Sequence, residues 1–345
     1  SRERARRWPR SMSALSTHDS KRGEDASARI AVLSEVPAEW RQTVARWSRK
    51  TEPHKRPVSE AGAAAPSRRD EYTFYQALVG AWPFGWNGQD GDGRSELRAR
   101  VGAFMRKAAR EAKVETSWIR PDEAYEEGLA AFVEGALSDD GFMADVARWS
   151  ARIDVAGATN GLAQTLLKLC LPGVPDTFQG AELWNQSFVD PDNRRPVDFG
   201  VRRKFLAEIT ARAEDPSALS RDLRARWTDG AIKLYLTHVA LRTRTRLADL
   251  FRGGDHEPLD GGEHVVAFAR RSGARRIVVV VPRLTTSLVD DTRPWAVGDI
   301  WRGATIDLRP GSYRDAFTGR HHRADPSLRL ADVLAELPVA LLVDE

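Results

Sequence analysis

An α/β unit followed by a small all-β domain is the fold class this sequence predicts, on three observations. A short apolar run, Met12 to Leu15, ends in a dense polar cluster from Ser16 to Asp25, the pattern of a short buried strand giving way to a loop. Between residues 24 and 251 apolar side chains recur mainly at helical spacing. From residue 255 the period changes to short strands separated by turn signals.

Residues 1–11 read as the tail of a helix or loop leading into a strand at Met12–Ser16. Two helices follow, the first carrying Ile30 and Leu33. The second opens at Pro37, which suits a first helical turn, and places Trp40, Val44 and Trp47 on one face. That spacing makes the two tryptophans core residues. Thr51 to Asp70 is rich in Pro, Ala and charge and reads as a connector. A helix over Glu71–Trp82 is stopped by Pro83, and the Gly- and Asp-rich Phe84–Ser95 is a loop. Asp90, Asp92 and Glu96 lack the full spacing of a calcium loop and read as solvated.

Leu97, Val101, Phe104, Met105 and Ala108 define an amphipathic helix. Pro121 opens another, with Leu129, Phe132, Val133 and Leu137. A third carries Phe142, Val146, Trp149 and Ile153, and a separate one spans Asn160–Leu171. Pro172 and Pro175 exclude a helix beyond it. Helices return at 200–214, 219–227 and 231–251. Strands are expected at His264–Arg270, Arg275–Arg283, Thr305–Leu308, Tyr313–Phe317 and Val339–Val343. His321-His322 falls in a turn between strands and, with no third ligand in view, reads as surface. No metal and no cofactor is expected.

The chain has 345 residues, 41% hydrophobic and 30% charged, an ordinary globular balance with room for one large domain and a smaller one. Net charge is +4, from 53 basic and 49 acidic residues. The one basic block, Arg2 to Arg10, is interrupted by Glu3, so the clustered basic face of a nucleic-acid binder is missing. Cys170 is the single cysteine. It excludes an intrachain disulfide, fits a reducing compartment and suits a buried thiol. No run reaches membrane-spanning length and no signal peptide is recognisable. A cytoplasmic location with no membrane partner is therefore expected. Ser1 stands in charged, mid-helix sequence without an initiator Met, so the chain is expected to be a piece of a longer one.

The candidate site is the polar cluster. His18 and Asp19 follow the predicted strand, with Lys21 and Arg22 directly after. An imidazole beside a carboxylate and two cations suits a ligand with many hydroxyl groups, and holds a negative charge near a developing positive one. The bland reading of the same residues is a helix cap or a solvated surface. At the end of a (β/α) barrel strand, catalytic side chains are expected to project.

The string Thr17-His18-Asp19-Ser20-Lys21-Arg22-Gly23-Glu24-Asp25 resembles the fourth motif of the α-amylase clan of glycoside hydrolases, in which a His-Asp pair ends the seventh barrel strand. Its extended form resembles the maltooligosyltrehalose synthase branch. Ser20 and Gly23 stand where that branch is expected to carry Thr and Ser, and neither change removes a charge. Three further stretches resemble the same family: Tyr72–Pro83, Arg106–Glu126 with Thr116-Ser117-Trp118, and Pro172–Phe199 with Asp190-Pro191-Asp192-Asn193-Arg194-Arg195. Thr177 and Asn185 depart from its pattern.

The resemblance implies that residues 1–252 are the C-terminal part of a (β/α)8 barrel, strands 7 and 8, with a helical insertion over about 24–153. Residues 255–345 would then be a β-sandwich. It implies isomerisation of the reducing-end α-1,4 linkage of a maltooligosaccharide to an α,α-1,1 linkage. Asp19 would be the clan's third carboxylate, with His18 bonding the same sugar ring. Lys21 and Arg22 would clamp the released glucose. Gln179, Glu182, Asn193, Arg194 and Arg195 would line the loop after the eighth strand. The nucleophile and general acid are expected on strands four and five, so the N-terminal part of the barrel is the implied partner and this chain alone is expected to be inactive. Arg152-Ile153-Asp154 looks like the clan's nucleophile motif but follows the His-Asp string instead of preceding it, so Asp154 reads as a surface residue. An α-glucan hydrolase of the same clan and a non-catalytic glucan-binding partner are the alternatives.

Overall fold

The computed structural model describes residues 2–58 and 64–345. The chain runs α1 (Arg2–Arg7), β1 (Met12–Ser13), α2 (Glu24–Ala31), α3 (Pro37–Thr51), β2 (Arg56–Pro57), β3 (Ala64–Ala65), α4 (Arg68–Ala81), α5 (Gly91–Ala112), α6 (Glu123–Ser138) and α7 (Asp140–Cys170). It continues with β4 (Val174–Pro175), α8 (Phe199–Ala211), α9 (Pro216–Ala225), α10 (Ala231–Arg246) and α11 (Ala248–Gly253). The last part holds β5 (Asp255–Leu259), β6 (Val265–Ser272), β7 (Arg275–Pro282), β8 (Thr305–Asp307), β9 (Gly311–Asp315), β10 (His321–Ala324), β11 (Ser327–Arg329), α12 (Leu330–Val333) and β12 (Ala340–Asp344). Two compact units share these elements. One comprises residues 1–17, 155–185 and 196–345, the other 18–154 and 186–195.

Side-chain caps set most helix starts in the second unit. Ser67 accepts from the Asp70 amide at α4, and Asp122 accepts from Tyr125 at α6. Each satisfies an amide with no partner inside the helix. The α6 cap lies one residue beyond Pro121, so the proline precedes the helix and does not open it. Asp90 accepts from the amides of Asp92 and Gly93. This carboxylate is thus a helix cap, and α5 begins inside the stretch expected to be loop. The core of this unit is aromatic. Trp47, Phe74, Tyr75, Phe132 and Phe142 are fully buried. Trp40 and Trp47 meet edge to face at 5.6 Å, so the tryptophan pair is core, as its spacing predicts.

One expectation fails at α7. Two helices were expected over 142–171, and a single 31-residue helix forms. The stretch between Ile153 and Asn160 contains no proline, and one glycine costs a helix only about 1 kcal/mol. Burial of Ile153, Ala158 and Leu162 outweighs that cost.

In the other unit, β1 and β4 pair in parallel, Met12 opposite Val174 and Ser13 opposite Pro175. The strand expected to be buried is instead two residues long and open. Met12 is 70% exposed and Val174 52%. Gly173 makes the close approach possible: its φ is +130°, and a Cβ there would sit 2.7 Å from the Ser11 carbonyl oxygen.

The C-terminal part is a six-stranded antiparallel sheet in the order β10-β9-β12-β7-β6-β5, with a β8–β11 ribbon. Val265, Ala267, Ala269, Val278, Val280 and Leu342 alternate onto one face and pack with Trp301, Ile306, Leu328 and Leu330. β5, β10 and β11 were not anticipated. β5 contains Pro258, which an edge strand tolerates. His321 and His322 are corrected from turn to strand, because β10 pairs with β9 and places His322 opposite Tyr313. His322 is thereby buried. Cys170 is fully buried, and burial pushes its thiol up to about 12, which makes it inert. Among the described residues no helix is long and apolar enough to cross a membrane.

Asp315, at the end of β9, is buried and accepts from the Thr318 hydroxyl at 2.6 Å and from the Phe317 and Leu341 amides. Burial outweighs these bonds and raises its pKa to about 6. A carboxyl raised in the folded state holds its proton more tightly there than in the unfolded chain. Its contribution to stability is therefore largest at low pH and is lost as pH rises from about 4 to about 6. Asp315→Asn is expected to remove this fall, worth about 3 kcal/mol. Urea midpoints of both proteins between pH 4 and 7 test it. Parallel pH profiles would show that the carboxyl is not held neutral.

Candidate functional site

The His18 loop is pinned by its neighbours before any side chain acts. His18–Ser20 is a single 3-10 turn, closed by the Lys21 amide on the His18 carbonyl. Lys21 has φ +61°, a left-handed conformation that a non-glycine residue adopts only under constraint. The constraint is a short ladder: Val189 donates to Lys21, Gly23 donates to Ser187, and Arg22 bridges Phe188. The segment 187–190 thus holds the loop in register.

Asp190 ends that ladder as a charge hub. It takes His18 Nδ1 at 3.0 Å, Lys107 Nζ at 3.0 Å and Arg194 Nη2 at 3.5 Å. The hydrogen bond from Lys107 holds its pKa below the usual carboxylate range, with Lys107, Arg194 and His18 charges adding and burial opposing. Lys21 Nζ lies 3.4 Å from Glu111 and 3.7 Å from Asp19. Asp19 itself is 92% exposed. The Arg22 guanidinium lies over the Phe104 ring at 5.6 Å, and burial lowers its pKa.

Phe104 and Phe188 stack at 4.3 Å beneath a hollow of ≈ 280 Å³, whose rim includes Arg100, Lys107, Asp190, Asp192 and Arg195. Arg100 grips Asp192 at 2.9 and 3.1 Å. Arg195 bonds Glu96 at 2.5 Å and Asp192 at 3.1 Å. Asn193 and Arg194 lie in the turn Asp192–Arg194. Asn193 keeps a buried Oδ1 with no partner among the described residues. His18, Asp19, Lys21, Arg22 and the Asn193–Arg195 group therefore fall in one unit, in which His18 and Arg194 share the Asp190 hub. The remaining predicted residues belong to the other unit. There Gln179 is exposed. Glu182 is held by Arg202 Nε at 2.9 Å, and the same guanidinium bonds the Gly180 carbonyl.

Sequence reasoning passed over Arg100, Lys107 and Glu111, and quoted Asp190 within the charged string without giving it a role in the site. The first three share a face of α5 with Phe104, at spacings of four, three and four residues. A polar stripe beside an apolar one was legible, but nothing in it named the partner. Asp154 was misread. It is buried, ion-paired with the fully buried Arg29, and accepts from the Gly85 amide at 3.0 Å. Its position inside a continuous helix gave no sign of burial. Among the described residues no cluster of side chains has the makings of a metal site.

No family model matches the chain. A curated relative, named "Putative maltooligosyl trehalose synthase" from Mycobacterium tuberculosis, is 35% identical over 344 residues, covering 99% of this chain and 38% of the relative. The structure of maltooligosyltrehalose synthase from Arthrobacter ramosus matches all of this chain and 40% of that one, with 34% identity and a TM-score of 0.76. A hypothetical maltooligosyl trehalose synthase from Sulfolobus tokodaii matches with 26% identity and a TM-score of 0.65, over 95% of this chain and 38% of that one. Relatives and fold alike point to one class, a family of enzymes. The curated and solved relatives named here are maltooligosyltrehalose synthases, and the chain spans about two fifths of their length.

Proposed function

We propose that this chain carries the third catalytic carboxylate and part of the sugar-binding surface of an enzyme that forms maltooligosyltrehalose. In this reading β1 and β4 are the seventh and eighth strands of a (β/α)8 barrel. The reducing-end α-1,4 bond of a maltooligosaccharide is cut, and the same two sugars are rejoined α,α-1,1. A nucleophilic carboxylate attacks the anomeric carbon while a second carboxyl protonates the leaving oxygen. Both come from the part of the barrel that the family places before the His-Asp string. Asp19 holds hydroxyls of the distorted ring and stabilises its oxocarbenium-like charge, and His18 bonds the same ring.

The released glucose must stay, turn and attack through its own anomeric hydroxyl, and water must be excluded for isomerisation to win. The hollow over Phe104 and Phe188 supports such retention, with an aromatic floor for the apolar face of a sugar and a charged rim for its hydroxyls. The observation that carries the reading is Asp19 itself, a carboxylate on a pinned loop and open to a ligand.

Maltopentaose given to an enzyme spanning the full family length tests it. Loss of reducing ends without shorter products supports isomerisation. New reducing ends would mean a hydrolase, and binding without turnover a glucan-binding protein.

Asp190 acts in this reading as a positioning residue. Asp190→Asn keeps the shape but removes the charge that His18, Lys107 and Arg194 share. The expected result is a loss of kcat/KM on the order of 10- to 100-fold, with the melting temperature nearly unchanged because the pairs are partly exposed. Unchanged kinetics would remove Asp190 from the site.

A further inference from the structure

A second cavity, of ≈ 490 Å³, lies wholly within the unit that carries the six-stranded sheet, between α8, the start of α9, α10 and β9. Its floor includes Tyr235 and Val239. Tyr235 is buried and fixed by a hydrogen bond from its hydroxyl to the Phe317 carbonyl. The rim is cationic: Arg242 and Arg246 from α10, Arg314 from β9, and His238 one turn before Arg242. His238, Arg242 and Arg246 follow at four-residue intervals, which puts them on one face of the helix. No carboxylate lines the cavity.

Among the described residues, none of these three guanidinium groups is ion-paired or hydrogen-bonded, whereas Arg202, Arg212 and Arg226 of the same unit all hold carboxylates. Asp344 and Glu345 line an adjoining hollow with Arg246 and Arg314, and Glu345 is engaged by His321 at 2.9 Å. Three like charges left facing one concave space oppose each other and have no structural partner to gain from it. An anion entering that space relieves the repulsion and supplies acceptors for three planar guanidinium forks.

We propose that this cavity binds an organic phosphate. Arg242, Arg246 and Arg314 hold the phosphate, His238 adds a donor, and a small ring or apolar body rests on Tyr235 and Val239. The cavity volume suits a ligand of that size. The proposal stands on this unit alone and does not depend on what Asp19 does.

The test is calorimetric titration of the full chain at fixed ionic strength with phenyl phosphate, inorganic phosphate and phenol. Phenyl phosphate is expected to bind saturably with one site, inorganic phosphate about tenfold more weakly, and phenol not detectably. The double variant Arg242→Gln, Arg314→Gln is expected to lose on the order of 100-fold in affinity for phenyl phosphate. Its melting temperature without ligand should stay within a few degrees, since neither side chain holds a structural partner. The variant with Lys at both positions should keep part of the affinity through charge alone. Absence of saturable binding, or equal binding by the Gln double variant, overturns the proposal.

Discussion

Asp19→Asn is expected to lower the isomerase rate of an enzyme spanning the full family length on the order of 100-fold or more, with little change in stability. The substitution keeps the size and a hydrogen-bonding oxygen and removes only the charge. Preorganised charge aimed at a developing cation acts more strongly in the transition state than in the bound substrate, so the loss falls on kcat. Stability should hardly respond, because Asp19 is 92% exposed and its nearest cation, Lys21 Nζ, is 3.7 Å away and also serves Glu111. The measurement is kcat and KM on maltopentaose beside a thermal melt. Near-normal turnover would show that Asp19 is structural. A matched fall in activity and melting temperature would show that the loop, and not the charge, was lost.

Asp154→Ala is expected to destabilise the helical unit by about 3–5 kcal/mol. Arg29 is fully buried, with its guanidinium against the Phe84 ring at 5.0 Å and bonded to Asp154 and the Trp82 carbonyl. Burial is the leading influence on both partners, pushing the Asp154 pKa up and that of Arg29 down, while each holds the other charged. Removing the carboxylate leaves a cation in the core with a single carbonyl to face.

Replacing both residues, Arg29→Met with Asp154→Leu, should recover part of the loss. It still strands the Gly85 amide that Asp154 now accepts, at about 1–3 kcal/mol. Urea midpoints of the two variants decide this. A single variant within 1 kcal/mol of the parent would mean water or a rearranged side chain replaces Asp154.

Activity should fall with stability, because the pair is tied to the loop. Trp82 also accepts from Gln186 at 2.7 Å, and the next residue, Ser187, accepts from Gly23 at 2.7 Å. Gly23 stands at the N-terminus of α2, the helix that carries Arg29.

Local pattern alone determined a good deal here. The spacing of Trp40 and Trp47 marked them as core. The alternation after residue 255 marked a β unit, because side chains in a strand repeat every two residues whatever lies across the sheet. The string from Thr17 to Asp25 marked the loop as a candidate site through its resemblance to the α-amylase clan, since its charges alone also suit a helix cap or a solvated surface.

Other features depended on partners far away in the chain. Asp154 and Arg29 are 125 residues apart, and neither position announces burial, since a charge enters a core only when its counter-charge arrives with it. The hub at Asp190 is of the same kind: Lys107 is 83 residues away, and His18 lies on a separate loop. The two strands β1 and β4 were located, but not how short or open they are. A strand's burial belongs to the sheet it joins, and here each has only the other among the described residues. Periodicity is written into each segment of the chain, whereas the pairing of charges and the covering of strands are properties of the assembled surface, decided only once distant segments meet.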